Sequence, residues 1–174
     1  MTNVFQAPEG PKTVKADSVV KKSIGLLDDE MLVDLNKVVQ ESLNCVKPQL
    51  EELKAIIRCD GLPHILANAT DVRKLSDNLI RFILQHPPRK SKLFIYIKCN
   101  RAENELLSAD LSGKLDSFEV YFHTNSCNEA TWQAAHQEMI NECSAICAQY
   151  SGSFVAAHGQ ANCLFKLTLP GKLF

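Results

Sequence analysis

The chain predicts a two-layer α/β sandwich, with three main helices on one face of a mixed, mostly antiparallel sheet. Three observations carry this. Periodic and extended segments follow in the order helix, two strands, helix, two strands, helix, two strands. Each helical segment is apolar along one stripe, which must be buried against a neighbouring layer. The chain has 174 residues, 45% of them hydrophobic, enough for one domain with a sizeable core.

Taken in order, residues 1–30 form a polar leader containing Pro8, Gly10 and Pro11, and 31–174 are expected to make the folded domain. A short strand is expected near Met31–Val33. From Leu35 to Lys54, apolar residues recur at Leu35, Val38, Val39, Leu43, Val46, Leu50 and Leu53, a helical period that Pro48 should bend or fray. Ala55–Cys59 and His64–Leu66 read as short strands around the turn Asp60-Gly61-Leu62-Pro63. Thr70 or Asp71 can cap the next helix, which runs to about Gln85 and is stopped by His86-Pro87-Pro88.

Lys92–Cys99 and Ser117–His123 are rich in aromatic and β-branched residues and read as long strands, with a polar loop over Asn100–Lys114 between them. Asn128 can cap a helix to about Tyr150, with Trp132, Ala135, Met139, Ile140, Cys143, Ile146 and Cys147 facing mainly inward. Ser151-Gly152 should end it, as glycine commonly does. Ser153–Ala157 and Asn162–Leu169 then form a closing hairpin around His158-Gly159-Gln160-Ala161.

A net charge of −1 and a pI near 6.5 leave no electrostatic footprint for nucleic acid or an acidic membrane. Lys12, Lys15, Lys21 and Lys22 give the leader a local basic bias that reads as solvated tail. There is no signal-peptide pattern and no apolar run long enough to span a bilayer, so a soluble, cytoplasmic protein is expected. The seven cysteines form no C-x-x-C pair and read as small buried hydrophobes. His136, Cys143 and Cys147 share a helical stripe, but no fourth ligand is identifiable, so no metal site is expected.

The stretch LSDNLIRFILQHPP, Leu75–Pro88, has a core stripe of Leu75, Leu79 and Ile83, with Asn78, Phe82 and Gln85 beside it. Together with VDLNKVVQESLNCVKPQLEE before it and AICAQYSGSFVAAHGQANCLFKLTLP after it, it resembles the ATP-binding catalytic domain of bacterial sensor histidine kinases, over Val33 to Pro170. The first segment resembles that family's opening strand and helix. DGLPHILANATDVRKLSDNLIRFILQ resembles its next hairpin and its asparagine-box helix, and the last segment its closing helix, Gly turn and hairpin.

The resemblance implies a nucleotide pocket, and this chain departs from it at each chemical position. The family's helix carries two Asn four residues apart, the second coordinating Mg²⁺ on the ATP phosphates. Asn78 matches the first, but Phe82 stands at the second and offers a hard cation no oxygen. Gln85 stands where a Lys or Arg commonly meets phosphate charge. The family's Asp-x-Gly-x-Gly falls on Thr124, Asn125, Ser126, Cys127 and Asn128, so the adenine-reading carboxylate is replaced by Thr124 and a glycine by Ser126. Its later Gly-x-Gly-x-Gly, which lets backbone N–H groups approach phosphate at a helix N-terminus, falls on Ala135, Gln137 and Met139, and the preceding mobile lid has no counterpart. His64, His86, His123, His136 and His158 all lie inside the domain, so no phosphoacceptor helix is expected within this sequence.

The expected function is therefore a degenerate histidine-kinase-type domain, without catalytic residues or cofactor, that acts as an interaction or regulatory module in two-component signalling. Its expected partners are signalling proteins or a second copy of itself. The alternative is a divergent kinase domain that still binds ATP and Mg²⁺ through Asn78 and substituted loop contacts. A third reading is a small-molecule sensor using the reduced pocket. Phe82 is expected to be buried, near Trp132 or Met139, and to plug the nucleotide position; the alternative is an ordinary core phenylalanine at the edge of the apolar stripe.

Overall fold

The computed structural model describes residues 32–88, 91–102, 115–126, 129–159 and 162–173, with the side chains of 129–136 outside that set. The elements are β1 (Leu32–Asp34), α1 (Leu35–Cys45), α2 (Lys47–Glu52), β2 (Ile56–Cys59), β3 (His64–Leu66), α3 (Ala69–Gln85), β4 (Phe94–Arg101), β5 (Asp116–Thr124), α4 (Glu129–Gln149), β6 (Ser153–His158) and β7 (Cys163–Lys172). The strands make one seven-stranded sheet in the order β1-β3-β7-β5-β4-β2, with β6 paired to β7. Every pairing is antiparallel except β2 with β4. The expected mixed, mostly antiparallel α/β sandwich is what forms.

Period-two alternation explains the sheet. Along β5, Phe118, Val120, Phe122 and Thr124 are buried while Ser117, Glu119, Tyr121 and His123 face the other side. Along β7, Cys163, Phe165, Leu167 and Leu169 are buried in the same manner. The helices cover that apolar face with Val39 of α1, with Leu79, Ile80 and Ile83 of α3, and with Met139, Cys143 and Cys147 of α4. Burial pushes the Cys143 and Cys147 thiols up to about 12, so both behave as apolar fillers.

The structure corrects four local expectations. Pro48 splits the first helix rather than bending it. α1 stops at Cys45, and α2 starts afresh with Pro48 in its first turn, where the missing N–H has no helical partner to lose. Ile56–Cys59 and His64–Leu66 do not pair with each other. β2 lies beside β4 at one edge, and β3 lies between β1 and β7 near the other.

The cap of α3 is Asn68, not Thr70 or Asp71. Its side chain accepts from the Thr70 N–H at 2.8 Å, and its own N–H is held by the Tyr150 hydroxyl at 3.1 Å. Past α4 the left-handed residue is Ser151, at φ 56°, not Gly152. Gly152 serves close packing, because a Cβ there would sit 2.1 Å from the Thr168 carbonyl oxygen. The leader, most of the Asn100–Lys114 loop, Asn128, and the Trp132, Ala135 and His136 side chains lie outside the described residues.

The sheet face away from the helices carries a row of rings. His123 stacks on Tyr96 at 6.2 Å and on Tyr121 at 6.0 Å, with Arg58 over the Tyr96 ring and Lys98 over the Tyr121 ring. The Tyr96 hydroxyl donates to Asp60 at 2.6 Å, and Lys166 pairs with Glu119 at 2.8 Å. His123 Nε2 is buried and has no hydrogen-bond partner among the described residues.

Candidate functional site

α3 organises the candidate site. Val72, Leu75, Leu79, Ile80 and Ile83 bury its core stripe, which turns Asn78, Arg81 and Gln85 toward α4 and solvent. Beside them is an open cleft of about 210 Å³, lined by Asn78, Arg81, Phe82 and Gln85 of α3 and by Glu138, Met139 and Glu142 of α4. Three of the residues singled out in the sequence, Asn78, Phe82 and Gln85, thus meet at one cleft.

Asn78 is already engaged there. Its Nδ2 donates to Glu142 Oε2 at 2.7 Å, and the other carboxylate oxygen of Glu142 pairs with Lys74, one helical turn before Asn78. The Lys74 ammonium and then the Asn78 amide hold the Glu142 carboxyl below the usual range, so it stays ionised. Lys74, Asn78 and Glu142 form a polar latch between α3 and α4.

Phe82 forms the floor. It is only 4% exposed, with its ring edge against Phe165 of β7 at a centroid distance of 5.6 Å and its face tilted over His86 at 4.7 Å. The ring therefore reaches the sheet as a core residue and still lines the cleft beside Met139. Trp132, its other expected neighbour, lies outside the described side chains.

Thr124 and Ser126 do not line this cleft. Both are buried where β5 ends, and the Thr124 hydroxyl accepts from the Ser126 N–H at 3.0 Å. The Ser126 hydroxyl donates to the Ile83 carbonyl at 2.7 Å and lies against that of His86, adding to the single long bond that the Ile83 carbonyl accepts from the His86 N–H at the end of α3. Asn125 completes the joint, accepting from the Phe94 N–H at 2.8 Å and donating to the Lys92 carbonyl at 2.9 Å. The segment expected to meet adenine instead fastens the end of α3 to β4 and β5.

The sequence reading missed Lys74, Arg81, Glu138 and Glu142. Their only signal was spacing. Lys74–Asn78 and Glu138–Glu142 are each four residues apart and so share a helix face. On the other side of α3, Arg81 and Gln85 also border a groove of about 590 Å³, whose far wall includes Val46 and Leu53.

No protein-family model and no curated protein sequence matches the chain. Solved structures do. The mycobacterial sensor histidine kinase MprB superposes with a TM-score of 0.61 at 8% identity, over 82% of this chain and 99% of that one. The fold is that of the histidine-kinase ATP-binding domain. The nucleotide-free catalytic domain of histidine kinase ThkA gives 0.60 at 10% identity, over 80% of this chain and 95% of that one. Acinetobacter baumannii histidine kinase AdeS gives 0.57 at 13% identity, over 80% of this chain and 66% of that one. In this histidine-kinase-type fold, the latch and the Phe82 floor occupy the face that the asparagine-box resemblance assigned to nucleotide. No described helix is long and apolar enough to cross a membrane.

Proposed function

We propose that this domain is a degenerate histidine-kinase-type module, without nucleotide binding, that works by protein contacts in cytoplasmic signal transduction. The observation that carries the reading is the commitment of Asn78 to Glu142 above a floor closed by Phe82. The cleft fits Mg²⁺–ATP poorly. Phe82 offers no oxygen to a hard cation, and Thr124 has no charge to read an amino group and lies buried away from the cleft. The charges also balance, with Glu138 and Glu142 against Arg81 and the neighbouring Lys74, so polyanionic phosphate meets no surplus of positive charge.

Signalling as the context is supported by the shared fold. A ThkA structure with the same fold, at a TM-score of 0.57 and 10% identity, is a complex with the response regulator protein TrrA. That supports a signalling protein as a partner class here, by analogy of fold. The competing reading, a divergent kinase domain that uses Asn78 for nucleotide, requires ATP to displace Glu142. Calorimetric titration with ATP and Mg²⁺ separates the two. The proposed module gives no saturable heat, whereas metal-dependent saturation would establish the kinase-like reading.

A further inference from the structure

The geometry points to the edge of β2 that is unpaired among the described residues as a self-pairing strand, its occupant a second copy of this chain in an antiparallel twofold register centred on Ile57. This rests on the interaction reading above and names its partner. The two fail separately, because a nucleotide titration reads the cleft and a mass measurement reads the edge.

The backbone supplies the first argument. The Ile56 N–H bonds to the Leu93 carbonyl at 2.8 Å and the Asp60 N–H to the Ile97 carbonyl at 2.9 Å, with Ile56 to Cys59 in parallel register with Phe94 to Ile97. Alternate residues of a strand turn their N–H and C=O to the same side. Ile56 and Arg58 therefore serve β4, while Ile57 and Cys59 turn theirs to the open edge. β2 is the last strand in the sheet order.

The side chains supply the second. Ile56 is 51% exposed and Phe94 39% on the ring-bearing face, and Ile57 is 36% exposed on the opposite face. Exposed edges are normally blunted by lysine, proline or an inward charge, and β2 has none of these at Ile57. Its cation, Arg58, is occupied by Asp60 at 3.7 Å and by the Tyr96 ring at 5.1 Å.

Self-complementarity selects the occupant. With the axis at Ile57, the two copies of that residue exchange both of their edge hydrogen bonds. The Cys59 N–H meets the Ala55 carbonyl of the other copy; the Ala55 N–H is not needed, being bonded to Leu50 at 2.9 Å. Ile56 then lies opposite the apolar stem of Arg58. Moving the axis one residue to Arg58 would set guanidinium directly against guanidinium. A four-residue strand makes an interface of the small, transient class.

The test is sedimentation equilibrium of the full chain over roughly 10 µM to 1 mM, with amide exchange followed at Ile57 and Cys59. A reversible dimer is expected, with exchange at those two amides slowing as concentration rises. Ile57→Pro removes the edge N–H while leaving the bonds to β4, and should weaken association at least about tenfold; Ile57→Val should leave it unchanged. A monomer throughout the range overturns the proposal. So does a dimer that folded Ile57→Pro still forms. If that variant does not fold, the wild-type amides decide, and concentration-independent exchange at Ile57 and Cys59 overturns it.

Discussion

Asn78 gives its side-chain amide to Glu142 at 2.7 Å, a contact that spans 64 residues of sequence and ties α3 to α4. The asparagine that the kinase resemblance assigns to nucleotide is thus a helix-to-helix strut. Whether the strut replaces a lost site or masks an intact one is open to mutation. Neither the wild-type chain nor Glu142→Ala is expected to bind Mg²⁺–ATP with a Kd below about 100 µM, roughly −5.5 kcal/mol. Saturation by Glu142→Ala alone would mean a masked site, and saturation by the wild type would overturn the pseudoenzyme reading.

Truncating Phe82 should be costly, because its ring is buried against Phe165. Phe82→Ala is expected to lose about 3–4 kcal/mol of unfolding free energy in urea melts, through lost burial and the cavity left behind. Phe82→Asn should be at least as destabilised and gain no affinity for ATP. A loss below about 1 kcal/mol would show a ring that matters little to the core.

Ser126 should behave as a structural residue although it lies in a nucleotide-motif position. Ser126→Ala removes the hydroxyl that serves the Ile83 carbonyl, leaving it only the long bond from the His86 N–H at 3.4 Å, and should cost about 0.5–1.5 kcal/mol. The midpoint should move without a change in denaturant slope. An unchanged midpoint would count against the joint described between α3 and β5.

His123 should make stability pH-dependent. Burial first, and the nearby Lys98 second, hold its imidazole below the usual histidine range. The unfolded chain then takes up the proton more readily than the folded one. Stability is full above about pH 6.5 and falls as the pH drops through that value toward the lower folded pKa. His123→Phe keeps a ring between Tyr96 and Tyr121 and should flatten this slope. A slope of equal size in the variant would place its origin in another group.

The helices were the most legible part of the sequence, because a 3.6-residue stripe such as Leu75, Leu79 and Ile83 is a strong local signal. Sheet order was not. β2 and β3 have four and three residues, too few to encode a partner, and only the tertiary crossover sends them to different ends of the sheet. The cap of α3 was ambiguous for a related reason. Asn68, Thr70 and Asp71 are all competent, and the choice involves Tyr150, whose hydroxyl is bonded to the Asn68 N–H and to Asp71. In the site, Asn78, Phe82 and Gln85 could be read from the motif. Glu142 could not, since a carboxylate on a helix flank looks the same whether it meets water or an amide.

The position of β7 sets the order in which the domain can assemble. It bonds to β3, β5 and β6, and it is the last of the described strands in sequence. Without it, among the described strands, β1 and β3 pair only with each other, and β2, β4 and β5 form a separate patch. Joining the two fragments needs contacts of long sequence separation, which are slow to form, so it is expected late in folding. The seam closes at Gly171, where a side chain would run into the His64 carbonyl oxygen at 2.2 Å, so the final fastening depends on a residue with none.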